Sequence, residues 1–138
     1  MVRLPRDIQD AVIARSVAAL PDEGCGLLAV DVTGAICHAY PLDNVDHSPV
    51  RFTVDPDGHF AALQHAESNG WQIGGVFHSH PRTAAAPSRT DVAGALDPNW
   101  VHLIVGLGGD VPEVRAWWIR DGEVSEEPIA EGSSLPCR

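Results

Sequence analysis

The stretch Trp71–Asp91, WQIGGVFHSHPRTAAAPSRTD, decides how this chain folds. Trp71 to His80 reads as a strand that ends in the polar triplet His78-Ser79-His80. A seven-residue link from Pro81 to Pro87 follows. Ser88 then stands where a helix N-cap belongs, so a short helix is expected from Ser88 through about Leu96.

Working outward, residues 6 to 20 place Ile8, Val12, Ile13, Val17 and Leu20 on one face of an amphipathic helix closed by Pro21. Gly26 to Val30 and Ala35 to Tyr40 read as strands joined by a hairpin turn at Val32-Thr33-Gly34. Val50 to Val54 is a third strand candidate after a loop over residues 41 to 49. Asp55-Pro56 opens a helix whose inner face would carry Phe60 and Leu63 and which ends at Asn69-Gly70. Beyond the quoted stretch, residues 100 to 107, 112 to 119 and 122 to 126 read as three further strands. Helix, three strands, helix, strand, helix, three strands is the order of an α+β (mixed α/β) domain with a central sheet flanked by helices. The domain is expected over residues 1–130, with 131–138 as a flexible C-terminal tail.

Composition narrows the partners. Nineteen acidic residues against nine basic ones give a formal charge of −10, and every fixed side-chain cation is arginine. A nucleic-acid backbone or an anionic membrane needs a cationic cluster that this chain lacks. No stretch approaches the roughly twenty apolar residues of a membrane span. Asp7 and Asp10 sit inside the first apolar pattern, unlike a signal peptide. Cys25 and Cys37 lie in apolar surroundings and read as core thiols, and three cysteines without a C-x-x-C pair suit a reducing compartment. A cytoplasmic protein is expected. Trp117 and Trp118 are adjacent in a strand and face opposite ways, which leaves one for solvent, a helix or a second subunit. A homodimer is one arrangement this allows. Gly106–Gly109 reads as a turn, without the lysine of a phosphate loop. His47, His59, His65 and His102 read as surface or partly packed histidines.

Alternate residues of a strand share a face, so His78 and His80 point two imidazoles into one space while Ser79 faces elsewhere. Imidazole suits zinc, and a catalytic zinc uses three protein ligands with one position open for water. Asp91 is the best third candidate. Ser88-x-x-Asp91 also reads as a capping box, with Asp where Glu or Gln is more usual. Both readings stay open, because a carboxylate in the first turn of that helix faces the same end of the domain as the strand terminus.

The string HSHPRTAAAPSRTD, His78 to Asp91, resembles the JAMM (MPN-plus) metallopeptidase signature of His-x-His, seven residues, Ser, two residues, Asp. Upstream, Pro21–Leu28 (PDEGCGLL) resembles the family's glutamate segment, and the likeness extends over about residues 4 to 128. The resemblance implies a cytidine-deaminase-like MPN/JAMM fold with a partly curved sheet. It implies Zn2+ as cofactor with His78, His80 and Asp91 as ligands, Glu23 as catalytic acid/base, and Ser88 as the hydroxyl that bonds the substrate carbonyl or its oxyanion. All these positions are present, whereas scaffold members of the wider fold usually lack one or more. Asn44 and Arg51 could orient substrate, with turn and surface roles equally open.

The short links at 55–70 and 81–87 resemble the compact prokaryotic branch. PDEGCGLL, the segment Asn44–Pro49 (NVDHSP) and Ala86–Asp91 (APSRTD, which departs from the pattern at one position) are similar to actinobacterial enzymes acting on small sulfur-carrier proteins. The implied partner is a small ubiquitin-like sulfur carrier with a C-terminal Gly-Gly tail. The implied reaction is hydrolysis of a peptide or isopeptide bond at that tail, with cysteine as one candidate leaving group. A catalytically silent binding module and a broader small-amide peptidase are the alternatives.

Overall fold

The structure, a computed structural model, describes residues 1–131 and 137. Strand β2 (Cys25–Val30) is buried at every position, the mark of an interior strand covered on both faces. It pairs antiparallel with β3 (Ile36–Leu42) through the expected hairpin, in which Gly34 takes φ +83°. On its other side it pairs antiparallel with β4 (Gln72–His80). Strand β4 then pairs in parallel with β5 (Val101–Gly106), and β6 (Glu113–Arg120) and β7 (Glu123–Glu127) follow antiparallel. The sheet order is β3-β2-β4-β5-β6-β7. This is the mixed α/β domain that the sequence predicts.

Helices cover the two faces. Ile8 and Val12 of α1 (Arg6–Ala19) pack with Leu28, Phe77, Leu103 and Val105. The opposite face carries Leu27 and Val76, which pack against Ala62 of α2 (Pro56–Ser68) and against Phe52, Val54 and Trp100. Strand alternation thus sends Phe77 towards α1, and Val76, His78 and His80 towards the α2 face. Asp55 caps α2 by accepting the Gly58 N–H, and Gly70 at φ +77° follows its end. The short helix α3 (Arg89–Gly94) stands between β4 and β5.

Several expectations are corrected. Phe60 and Leu63 are not the inner face of α2: Phe60 is 62% exposed, and the buried positions are Ala62 and Ala66. A Cβ on Gly58 would lie 2.6 Å from Leu42 Cδ2, so Gly58, Ala62 and Ala66, four residues apart, let the helix sit close to the sheet. Residues 50–54 form no strand. Only Asn44 and Val54 share an isolated bridge, because the Asn44 side chain takes the Arg51 carbonyl and the Thr53 N–H that a ladder would use. Two unpredicted strands, β1 (Val2–Leu4) and β8 (Ile129–Glu131), pair in parallel as a separate small sheet and bury Val2 and Leu4.

Cys37 is no free core thiol. It is half-buried and disulfide-bonded to Cys137, while Cys25 stays buried and free. The cysteines therefore no longer speak for a reducing compartment. Of the expected tail, Glu131 closes β8 and Cys137 joins the disulfide; 132–136 and 138 lie outside the described residues. No helix among the described residues is long and apolar enough to cross a membrane. Trp117 and Trp118 face opposite sides of the sheet, and both are half-buried. Trp117 donates its indole N–H to Ala85 O, and Trp118 packs on the α1-side core beneath the Arg120 guanidinium.

Candidate metal centre

The buried end of β4 presents its two imidazoles as strand alternation requires, with His78 Nε2 and His80 Nε2 3.3 Å apart. Asp91 Oδ2 lies 3.1 Å from the first and 3.0 Å from the second. All three residues are buried. Asp91 is placed by a capping box: Ser88 Oγ accepts the Asp91 N–H at 3.1 Å, and Asp91 Oδ2 accepts the Ser88 N–H at 2.9 Å. The capping and ligand geometries of Asp91 therefore coexist in one conformation. Ser88 is exposed, and among the described residues no acceptor takes its hydroxyl proton.

These three side chains form a group that could hold a metal ion. Zinc bound at about 2.0–2.2 Å in tetrahedral geometry sets its donors about 3.3–3.5 Å apart. The observed triangle is within a few tenths of an ångström of that. The donor chemistry, two imidazoles and a carboxylate, also suits zinc. His80 Nδ1 lies 2.9 Å from the Ala84 carbonyl, which holds the ring so that Nε2 faces the centre. Phe52 stacks on the His78 ring at 4.6 Å and 20°, and among the described residues His78 Nδ1 has no hydrogen-bond partner. A second cluster, Asp31 with Cys37 and Cys137, has its two sulfurs joined in the disulfide.

The charges are strongly coupled. Burial opposes ionisation of Asp91, but its bonds to His78, His80 and the Ser88 N–H prevail and hold the carboxyl well below the usual range. Burial likewise disfavours charge on His80, yet Asp91 and the Ala84 carbonyl raise it above its ordinary value. For fully buried His78 the burial wins and the pKa falls.

Glu23 lies in the turn between α1 and β2 and is almost fully buried. Burial pushes its carboxyl up to about 8, against the pull of His80 and with the push of Asp91, so the charges of both residues reach it. Among the described residues Oε1 has no hydrogen-bond partner. The backbone beneath is held from three sides. The Glu23 N–H donates to Ser48 O at 2.9 Å, its carbonyl accepts from Asn44 Nδ2 at 3.1 Å, and Gly24 N–H donates to Ser79 Oγ at 2.8 Å. Asn44 is buried among backbone partners, and Arg51 is exposed beside Asp46.

Sequence reasoning assigned no role to Ser79 or Phe52, which position Glu23 and wall the site, and it offered Asn44 for substrate or a turn, whereas Asn44 holds the Glu23 carbonyl. It also placed His102 on the surface or partly packed. His102 is buried opposite Val76 and hence on the His78 face; burial, and then His78, lower its pKa to about 4. Its alternation with Leu103 and Val105 was the available signal.

Comparison with known proteins follows the same outline. The family model described as prokaryotic homologs of the JAB domain matches residues 5–120. The CysO-cysteine peptidase of Mycobacterium tuberculosis is 31% identical over 125 residues, covering 89% of this chain and 86% of that protein. The desampylase of Haloferax volcanii is 37% identical over 112 residues, covering 77% and 81%. A Desulfitobacterium hafniense protein solved in solution superposes with a TM-score of 0.88 at 35% identity, covering 98% and 95%.

Proposed function

Since the chain belongs to the family of prokaryotic homologs of the JAB domain, we propose that it is a zinc metallopeptidase that cleaves the amide bond after the C-terminal Gly-Gly of a small ubiquitin-like sulfur carrier. The observation that carries this reading is the meeting of His78, His80 and Asp91 donor atoms within 3.3 Å at a buried floor. The names of the mycobacterial and haloarchaeal relatives support the substrate class, and the former suggests cysteine as the leaving group.

His78, His80 and Asp91 would hold the metal. When bound, zinc supplies Lewis acidity to the scissile carbonyl and lowers the pKa of water towards about 7. Glu23, buried beside the ligands, takes a proton from the attacking water and returns it to the departing amine. In the metal-free protein burial holds the Glu23 carboxyl protonated up to about 8, so this group can keep the proton that it passes to the amine. Ser88 Oγ, exposed and with its proton uncommitted among the described residues, donates to the oxygen on which negative charge develops. The floor is nearly closed to solvent, so a tail reaching it must be slender, and glycines lack the side chains that would collide there.

The test is mass spectrometry of a carrier protein ending in Gly-Gly-Cys, incubated with zinc-loaded wild type, with chelator-treated protein and with Glu23→Gln. Loss of one cysteine residue is expected only in the first. A zinc-loaded protein that leaves every carrier adduct intact overturns the peptidase reading in favour of a silent binding module. Equal turnover of small amides overturns the carrier specificity.

A further inference from the structure

We propose that Trp117 is a positioning residue for the metal centre, holding through its bond to the Ala85 carbonyl the adjoining Ala84 carbonyl that orients His80. This inference rests on the metal-site reading above. His80 and Val76 share a face of β4, and Val76 is level with His102, which is level with Trp117. The row carries the Trp117 indole across the sheet on the ligand face. Its Nε1–H donates to Ala85 O at 2.8 Å, and the adjoining carbonyl, Ala84 O, lies 2.9 Å from His80 Nδ1. A carbonyl can only accept, so this contact keeps the proton on Nδ1 and leaves the Nε2 lone pair for a metal.

Ala84 lies in the 81–87 link, which has no helix or strand of its own. Its carbonyl also accepts the Ala86 N–H at 2.9 Å, and the link is anchored where Leu107 N–H donates to His80 O at 3.0 Å. The β5–β6 turn presses directly against it. A Cβ on Gly106 would fall 2.7 Å from Ala85 N, and one on Gly108 would fall 2.6 Å from Arg82 O. The GLGG turn and Trp117 therefore form one rigid backing for the peptide that sets the His80 ring. Trp118, on the opposite face, has no part in it. Outer-shell partners of this kind typically contribute about 10–100-fold to metal affinity.

The test is Trp117→Phe, which keeps an aromatic ring and deletes the N–H, with Trp118→Phe as control. Zinc affinity is measured by competition with a chelating dye, and the His80 Nδ1–H is followed by 15N NMR in zinc-loaded protein. The expected result is zinc binding weakened about 10–100-fold in Trp117→Phe alone, with a faster-exchanging His80 Nδ1–H. Wild-type affinity together with an unchanged His80 signal overturns the proposal while leaving the metal site standing. Failure of the wild type to bind zinc overturns both. A measurement on wild type alone guards against misfolding of the variant. Coupling is reciprocal, so zinc must slow exchange of the Trp117 indole N–H, and an exchange rate indifferent to zinc overturns the proposal.

Discussion

The Asp91 oxygen that accepts the Ser88 N–H at 2.9 Å is the same Oδ2 that lies 3.0 Å from His80 Nε2. Helix capping and ligand placement thus draw on one atom, and the capping box fixes the carboxylate before any metal arrives. Asp91→Asn keeps an oxygen for the cap but loses the charge. Its zinc affinity should fall by more than the ~100-fold upper end of outer-shell losses, with helix content by circular dichroism unchanged. Zinc stoichiometry equal to wild type after dialysis would remove Asp91 from the ligand set.

Ser88→Ala separates the two partners. Loss of the cap should cost about 1 kcal/mol in urea unfolding. Loss of the oxyanion donor should lower kcat about 10²–10³-fold with zinc content retained. A variant that loses stability but not kcat would leave Ser88 with capping alone.

Glu23→Gln should lower kcat about 10²–10⁴-fold with zinc retained. It should also change how the metal-free protein responds to pH. The folded carboxyl has its pKa raised from 4.5 to about 8, so between these values the folded chain holds a proton that the unfolded chain has released. Stability contributed by this group is present below 4.5 and is lost as pH rises towards about 8. In chelator, wild type should lose stability relative to Glu23→Gln between pH 5 and 8. Parallel stability curves for the two proteins would show that Glu23 does not titrate this way.

Asn44 ties the Glu23 and Arg51 carbonyls and the Asp46 and Thr53 N–H groups together. Asn44→Ala strands buried polar groups at about 1–3 kcal/mol each. It should both destabilise the protein and reduce kcat, because Glu23 loses its seat. An unfolding midpoint and a kcat like those of wild type would confine Asn44 to a surface turn.

The Cys37–Cys137 bond closes a separation of 100 residues, for which chain entropy predicts a stabilisation of about 5 kcal/mol. Thiol reductant and Cys37→Ser should lower the melting temperature equally, and reductant should add nothing to the variant. A further drop on adding reductant to Cys37→Ser would contradict this pairing as the sole source.

Where the pattern was strong, the sequence was legible. His78 and His80 are two apart on a strand, so period two alone turns them together. Ser88 and Asp91 are three apart at a helix start, where capping geometry is nearly obligatory. The hairpin at Thr33-Gly34 and the first helix follow from equally local rules. Other features depend on contacts far along the chain. Phe60 outranks Ala62 in hydrophobicity, but close helix–sheet approach selects small side chains, so Ala62 is buried instead. The apolar run 50–54 is taken from the sheet by the amide of Asn44. Three-residue strands such as Val2–Leu4 are too short for their alternation to stand out, and the Cys37–Cys137 pair joins residues 100 apart in the chain.

Ser79 stands between the two imidazoles and reaches through the opposite side of β4 to the Gly24 N–H. Adding or removing a single residue upstream in β4 would exchange these sides, turning the hydroxyl towards the metal and both imidazoles into the α1-side core. The centre therefore depends on the register of β4 as well as on the identity of its residues. A one-residue shift in the register of the strand erases it with every functional side chain still present.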